Sequence, residues 1–101
     1  MTRIEANELF DTYGELLTSR QQEILKLSIQ EDLSYGEIAE ELGISRAAVL
    51  DAVKRGEKLL AEYEKAIGLC AIRQEVLKTV SGNQELRDRI EAVFDRGGSS
   101  L

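Results

Sequence analysis

Residues 33–58 read LSYGEIAEELGISRAAVLDAVKRGEK, and this stretch decides the fold. Ser34 is followed three residues later by Glu37, which is the spacing of a capping box at the start of a helix. Gly43 then offers the left-handed conformation that closes a helix, and Ser45 is a second N-cap residue. The stretch therefore predicts a short helix, a sharp turn and a new helix directly after the second serine.

The apolar side chains inside this stretch fit a helix-turn-helix. Ile44 can fill the angle between two helices that meet at Gly43, and Ala39 is small where the helices approach each other. Val49 and Val53 continue the apolar side of the second helix at a spacing of four residues. We therefore predict a helix-turn-helix whose second helix has the position that enters the major groove in DNA-binding proteins.

The remainder of the chain also predicts helices. There is no proline in 101 residues, and no period-2 alternation is long enough to indicate a strand. The expected helices outside the motif cover about residues 2–17, 19–30, 71–80 and 84–94, and the motif's second helix continues from residue 46 to about 67. The predicted fold class is all-α, with one helix-turn-helix domain over residues 1–96 and a flexible tail over 97–101.

Two apolar stripes are expected to form the core. The stripe of the first helix consists of Ile4, Leu9, Phe10, Tyr13, Leu16 and Leu17. The seam of the long fourth helix consists of Val49, Val53, Gly56, Leu60, Tyr63, Ile67 and Cys70. Its spacings of four and three favour packing inside the chain. The alternative is a homodimer through Val49, Val53, Leu60, Tyr63 and Ile67.

The composition excludes most catalytic chemistry. Without histidine there is no imidazole base and no Ser/His/Asp or Cys/His nucleophile. The single cysteine, Cys70, allows neither an internal disulfide nor a cysteine-rich metal site, and it is expected to be a buried small residue. The acidic pairs Glu31–Asp32 and Glu40–Glu41 point apart on their helices instead of converging on a cation. We therefore predict a non-enzymatic protein with no cofactor and no metal site.

The charge and hydropathy patterns predict a cytoplasmic protein. The first ten residues carry charges throughout, so no secretory signal is visible. No apolar run approaches the ~20 residues that span a bilayer, and a lone cysteine suits a reducing compartment. We expect no interaction with a membrane.

LSYGEIAEELGIS, residues 33–45, resembles the helix-turn-helix of sigma factor region 4. Together with LTSRQ at 17–21 and SRAAVLDAVKRGEKLLAEYE at 45–64, it is similar to the YlxM family, small bacterial proteins encoded beside the signal recognition particle genes. The resemblance covers about residues 10–70. It implies a helix-turn-helix fold and a cytoplasmic regulatory role near the particle, with the particle's RNA or its GTPase proteins as partners.

The exposed side of the motif's second helix supplies the candidate binding residues. A turn of 100° per residue from the buried Val49 places one set of side chains on the solvent-facing side. Its basic members suit phosphate oxygens, while Asp51 or an alanine could contact a base edge. The residues predicted to bind nucleic acid are Arg46, Ala47, Asp51, Lys54, Arg55 and Lys58.

Charge is distributed unevenly along the chain. Residues 1–43 hold three basic and ten acidic side chains, residues 44–66 hold five and four, and residues 67–101 hold five and five. The helix before the turn is acidic, which disfavours a tight grip on DNA phosphates. The sequence therefore favours contact with RNA or with a protein partner, and sequence-specific DNA binding is the alternative.

Aromatic and basic residues elsewhere have structural interpretations. Tyr13 and Tyr63 lie on the apolar stripes and are expected in the core, with their hydroxyls at its rim. The arginines of the last helix alternate with carboxylates, which predicts an exposed, salt-bridged face. These arginines are Arg87, Arg89 and Arg96.

Overall fold

The computed structural model describes residues 1–96, which form six α-helices and no strand. The helices are α1 (Arg3–Tyr13), α2 (Ser19–Leu25), α3 (Tyr35–Leu42), α4 (Arg46–Ile67), α5 (Leu69–Thr79) and α6 (Gln84–Arg96). The predicted all-α class is confirmed, and α3 and α4 form the predicted helix-turn-helix. The predicted tail, residues 97–101, lies outside the described residues.

Local turns explain where the helix boundaries differ from the predicted ones. The chain leaves α1 at Tyr13 and forms a 3₁₀ turn, Gly14–Leu16, so the first helix is shorter than expected. After α2 it continues as a π turn, Lys26–Gln30, in which the Glu31 N–H donates to the Lys26 carbonyl (N···O 3.1 Å).

The α4–α5 junction is also shorter than predicted. Gly68 alone, with φ +73°, separates the two helices, so α5 begins at Leu69. Glycine takes this left-handed conformation without the steric cost that a Cβ would bring.

The chain divides into two compact units, of which the first is Met1–Ile67 and the second begins at Gly68. In the first unit, α4 packs against α1, α2 and α3. The fully buried side chains at the centre of this unit are Ile24, Leu25, Ile38, Val49, Val53 and Leu60. The prediction of one domain over residues 1–96 stays a prediction.

The second unit is a helical hairpin, residues 68–96, in which α5 and α6 pack against each other. Cys70 and Leu77 of α5 are buried, as predicted for the cysteine, whereas α6 has no buried residue. The hairpin therefore differs from the first unit in how much of its apolar surface it covers.

The predicted α4 seam lies mostly inside the first unit. Val49, Val53, Gly56 and Leu60 are buried there, which confirms the predicted packing inside the chain for these positions. The prediction was wrong for Ile67, which is 53% exposed because the first unit does not cover the last turn of α4. Homodimerisation through the seam stays a prediction.

The α1 stripe was predicted correctly for Tyr13 and Leu17 and wrongly for Ile4 and Leu16, while Leu9 and Phe10 are half-buried. Tyr13 and Leu17 are buried, but Ile4 is 80% exposed, and Ala6 takes the buried position in the first turns of α1. Leu16 is exposed as well, because the 3₁₀ turn directs it outward and places the following residue in the core.

A close helix approach at Gly56 organises the first unit. A Cβ at this position would lie 2.6 Å from Cδ1 of Leu25, whose side chain is fully buried. Leu25 therefore fills the space that a larger residue in α4 would occupy, and α2 lies directly on the α4 backbone.

A polar contact also joins α1 to α4. The Tyr13 hydroxyl donates to Oε1 of Glu64 at 2.6 Å, and the ring centroid of Tyr13 lies 6.2 Å from that of Tyr63. This confirms the predicted position of Tyr13 in the core with its hydroxyl at the rim. Within residues 1–96, no helix has both the length and the apolar character needed to cross a membrane.

Candidate functional site

Side-chain caps hold the turn between α3 and α4. The Ser34 hydroxyl accepts from the Glu37 N–H at 3.1 Å, and the Glu37 carboxylate accepts from the Ser34 N–H at 3.0 Å. Gly43 closes α3 with φ +68°, and the Ser45 hydroxyl accepts from the Ala48 N–H at 3.0 Å. Every cap predicted in the motif is therefore present, and together they fix the direction in which α4 leaves the turn.

The six residues predicted to bind nucleic acid lie on the solvent-facing side of α4. All are exposed, whereas Val49 and Val53 on the opposite side are buried. These six residues, together with the exposed Ala48, define what we call the α4 face: Arg46, Ala47, Ala48, Asp51, Lys54, Arg55 and Lys58. The structure brings the predicted residues onto one surface, and their binding role stays a prediction.

Arg46 differs from the other basic residues of the α4 face. Its guanidinium lies against Gly36 in the first turn of α3, where a Cβ at residue 36 would be 2.9 Å from the Arg46 Nη2. The absence of a side chain at Gly36 thus makes room for this arginine. Arg46 connects the two helices of the motif as well as contributing charge to the face.

Arg55 is partly neutralised by its own helix. Its Nε lies 3.0 Å from Oδ2 of Asp51, one turn earlier, and both side chains are well exposed. Such a surface pair contributes less than about 1 kcal/mol and exchanges readily with other charges. Lys54 and Lys58 have no carboxylate within 4.0 Å in the described part of the chain. These two lysines are therefore the most available cations of the α4 face.

The neighbouring surface of α3 is negative. The Ser34 backbone N–H, followed by the Ser34 hydroxyl, lowers the pKa of Glu37, so this carboxylate is ionised at neutral pH. Glu40 and Glu41 are exposed on the same helix. In a helix-turn-helix bound to DNA the first helix crosses the phosphate backbone, so these carboxylates oppose that arrangement.

Sequence reasoning missed one residue at the edge of this surface. Leu50 is 38% exposed and lies one turn after Arg46, although a leucine inside a helix-turn-helix is expected in the core. The helical period could have indicated this exposure. Leu50 follows Arg46 by four residues, so the two side chains lie only about 40° from each other around the helix axis. Tyr35, at the start of α3, is also exposed.

In residues 1–96 no group of three His, Cys, Asp or Glu side chains is placed to hold a metal ion. The only thiol, that of Cys70, is buried. The side chains of the α4 face offer charge, hydrogen bonds and apolar contact.

The family model and the similar proteins all indicate the same family. Residues 1–95 match the family UPF0122, described as "Putative helix-turn-helix protein, YlxM / p13 like". A UPF0122 protein of Symbiobacterium thermophilum is 45% identical over 83 residues, which are 82% of this chain and 78% of the relative. One of Caldanaerobacter subterraneus is 46% identical over 77 residues (76% and 66%), and one of Bacillus cereus AH187 is 40% identical over 98 residues (86% and 89%).

Proposed function

The chain belongs to the UPF0122 family of YlxM/p13-like helix-turn-helix proteins, and from this premise we propose that it is a non-enzymatic regulatory accessory of the signal recognition particle pathway. The α4 face would be its contact surface for the particle's RNA or for its GTPase proteins. The resemblance to the YlxM family, whose genes lie beside those of the particle, supports the choice of pathway. The exposed basic side chains of the motif support the choice of contact surface.

One observation favours RNA or a protein over duplex DNA as the binding partner of the α4 face. The α4 face offers two lysines that make no ion pair in residues 1–96, Lys54 and Lys58, beside an α3 surface with three exposed glutamates. A helix-turn-helix on duplex DNA gathers phosphate contacts from both helices, and positively charged side chains supply much of their affinity. A narrow basic strip with an acidic flank suits an irregular RNA surface, or a protein surface that presents negative groups to the strip and positive groups to the flank.

Binding to purified particle components tests the proposal. The full chain would be mixed separately with the particle's RNA, with its GTPase and with the receptor GTPase, and complexes would be followed by co-sedimentation and fluorescence anisotropy. We expect one component to be retained. Replacing both lysines, Lys54→Glu with Lys58→Glu, should weaken retention at least about tenfold, because each reversal removes an attraction and adds a repulsion.

A matched double variant controls for net charge. Lys26→Glu with Lys78→Glu changes the total charge equally and alters exposed lysines outside the α4 face. We expect it to bind within about twofold of the unaltered chain, since long-range charge effects are largely screened at physiological salt. Retention of no component, or equal losses in both double variants, would contradict the proposed contact surface.

A second candidate function, sequence-specific DNA binding, is favoured by a different observation. Ala47 and Ala48 are exposed in the first turn of α4, which is the part of a recognition helix that contacts bases. Their small side chains allow close approach to a groove, where an alanine can contact a thymine methyl group. This candidate predicts an affinity for some genomic fragment that falls steeply with salt and is weakened by Lys54→Ala and Arg55→Ala. Binding that is absent, or insensitive to salt, rejects it.

A further inference from the structure

α6 carries an exposed apolar face that the function of the motif does not use. Leu86 and Val93 are 41% and 55% exposed, and Ile90 lies between them at spacings of four and three residues, half-buried. A shallow groove runs along this face. Its lining residues are Leu86, Arg89, Ile90, Ala92, Val93 and Arg96.

The two edges of this face differ in charge pairing. On one edge, Nε of Arg87 lies 3.5 Å from Oε1 of Glu91, so this arginine is neutralised within α6. On the other edge, Arg89 is exposed and has no carboxylate within 4.0 Å in residues 1–96. Arg89 lies about 40° around the helix from Val93, so its positive charge borders the apolar stripe directly.

A cover for this face is favourable because it removes the exposed side chains of Leu86 and Val93 from water. A second copy of this chain is a poor cover, because paired α6 faces would bring Arg89 of each copy onto a groove whose lining contains no carboxylate. The complementary surface combines apolar residues with acidic ones.

We propose that the α6 face is a docking site for an amphipathic helix of a partner protein, one whose apolar stripe is flanked by carboxylates. The stripe of that helix lies along Leu86, Ile90 and Val93, and its carboxylates pair with Arg89 at the edge. This is the helix-in-groove mode of recognition, in which anchors at i, i+3, i+4 and i+7 supply the contact. The inference does not depend on the α4 face, and either surface can fail its test alone.

Two synthetic peptides of about 18 residues, long enough to form a helix on binding, test the site. Both carry the same leucine stripe, flanked by glutamates in one peptide and by lysines in the other. Anisotropy titrations with the full chain should show the acidic peptide binding at least about tenfold more tightly than the basic one. Arg89→Glu should cancel that preference, and Val93→Ser should weaken binding of both peptides about tenfold, because it removes an apolar anchor.

Arg87→Glu is the matched control, because it changes the same charge in the same helix on the other edge of the face, at a residue that does not line the groove. We expect it to alter the affinity for the acidic peptide by less than about threefold. Helical content by circular dichroism accompanies each variant. Since Arg89 is exposed and makes no ion pair in residues 1–96, Arg89→Glu keeps the fold and remains informative if Val93→Ser does not fold.

Three results would overturn the proposal. Equal affinities for the acidic and basic peptides would remove the role of charge. A solution mass of twice 11.3 kDa that falls to the monomer value in Val93→Ser would assign the face to a second copy. Binding of RNA that is lost in Arg89→Glu but kept in Arg87→Glu, without peptide binding, would assign it to nucleic acid.

Discussion

The first unit and the C-terminal hairpin are both helical, but they differ in how far their apolar side chains are buried. In the first unit, residues 1–67, six large side chains are almost completely buried, and α4 contacts all three preceding helices. In the hairpin, residues 68–96, Leu69, Ile72, Leu86 and Val93 are exposed. The first unit therefore has a core of its own, whereas much of the hairpin's apolar surface is available for contact.

Charge separates the two regions as well. Residues 1–43 carry a large acidic excess, while residues 67–101 hold five basic and five acidic side chains. A partner that approaches α3 therefore meets carboxylates, whereas a partner that approaches the α6 face meets Arg89.

Truncation of a core residue should produce the largest difference between the regions. Leu60 is fully buried, so Leu60→Ala should lower the free energy of unfolding by about 2–5 kcal/mol. Val93→Ala, which removes an exposed side chain from α6, should change it by less than about 0.5 kcal/mol. Urea unfolding followed by circular dichroism measures both. Similar losses in the two variants would contradict the contrast drawn between core and hairpin.

Glycine substitutions should give the next largest difference. Gly56→Ala places a methyl group 2.6 Å from Leu25 Cδ1, and because that leucine is fully buried it has little room to move. We expect a loss of about 1–2 kcal/mol in spite of alanine's better helix propensity. Gly82→Ala, in the hairpin turn with no atom within 4 Å of the added Cβ, should stay within about 0.5 kcal/mol of the original. A larger fall in Tm for Gly82→Ala than for Gly56→Ala would contradict the close approach of α2 to α4 at Gly56.

A tyrosine pair tests whether polar contacts also hold the first unit together. Tyr13→Phe removes the hydroxyl that donates to Glu64 and should cost about 1 kcal/mol of unfolding free energy. Tyr63→Phe is the control, because its hydroxyl makes no hydrogen bond in residues 1–96 and its ring stays in place. If both variants unfold at the same urea concentration as the unaltered chain, the hydroxyl contributes nothing measurable.

The smallest expected effect is on the pH dependence of stability. The pKa of Glu37 is lowered in the folded chain by its hydrogen bonds with Ser34, so the ionised carboxylate stabilises the fold. This contribution is complete above the ordinary value of 4.5 and is lost as the pH falls through the lower pKa of the folded state. Glu37→Gln should therefore flatten the dependence of Tm on pH in this acidic range. An unchanged profile would show that the capping box is not linked to protonation.

The helix-turn-helix could be predicted because its determinants are local. Ser34, Glu37, Gly43 and Ser45 act on backbone groups within four residues, so their spacing along the chain carries the whole signal. The exposure of the α4 face followed from the helical period in the same way. These are interactions that a sequence displays directly.

Other features depend on residues that are distant in sequence. Neither the contact of Arg46 with Gly36 nor the filling of the space at Gly56 by Leu25 has a local pattern. Apolar character alone could not distinguish the exposed Ile4 from buried residues, because burial depends on which helices cover a position. The same limit hid the exposed stripe of α6, whose sequence resembles that of any helix with a covered side.

The π turn at Lys26–Gln30 has a consequence for how chains of this kind vary in length. A π turn uses about one residue more than a regular α turn to bring the chain to the same place, as the bond from Glu31 N–H to the Lys26 carbonyl shows. A relative that lacks one residue in this segment would form an ordinary α turn, and the N-cap of α3, Ser34, would keep its position. The same deletion within α4 would rotate every later residue by 100° and move the buried seam out of the core. Single-residue gaps among relatives should therefore collect between residues 26 and 30 and be absent from α4.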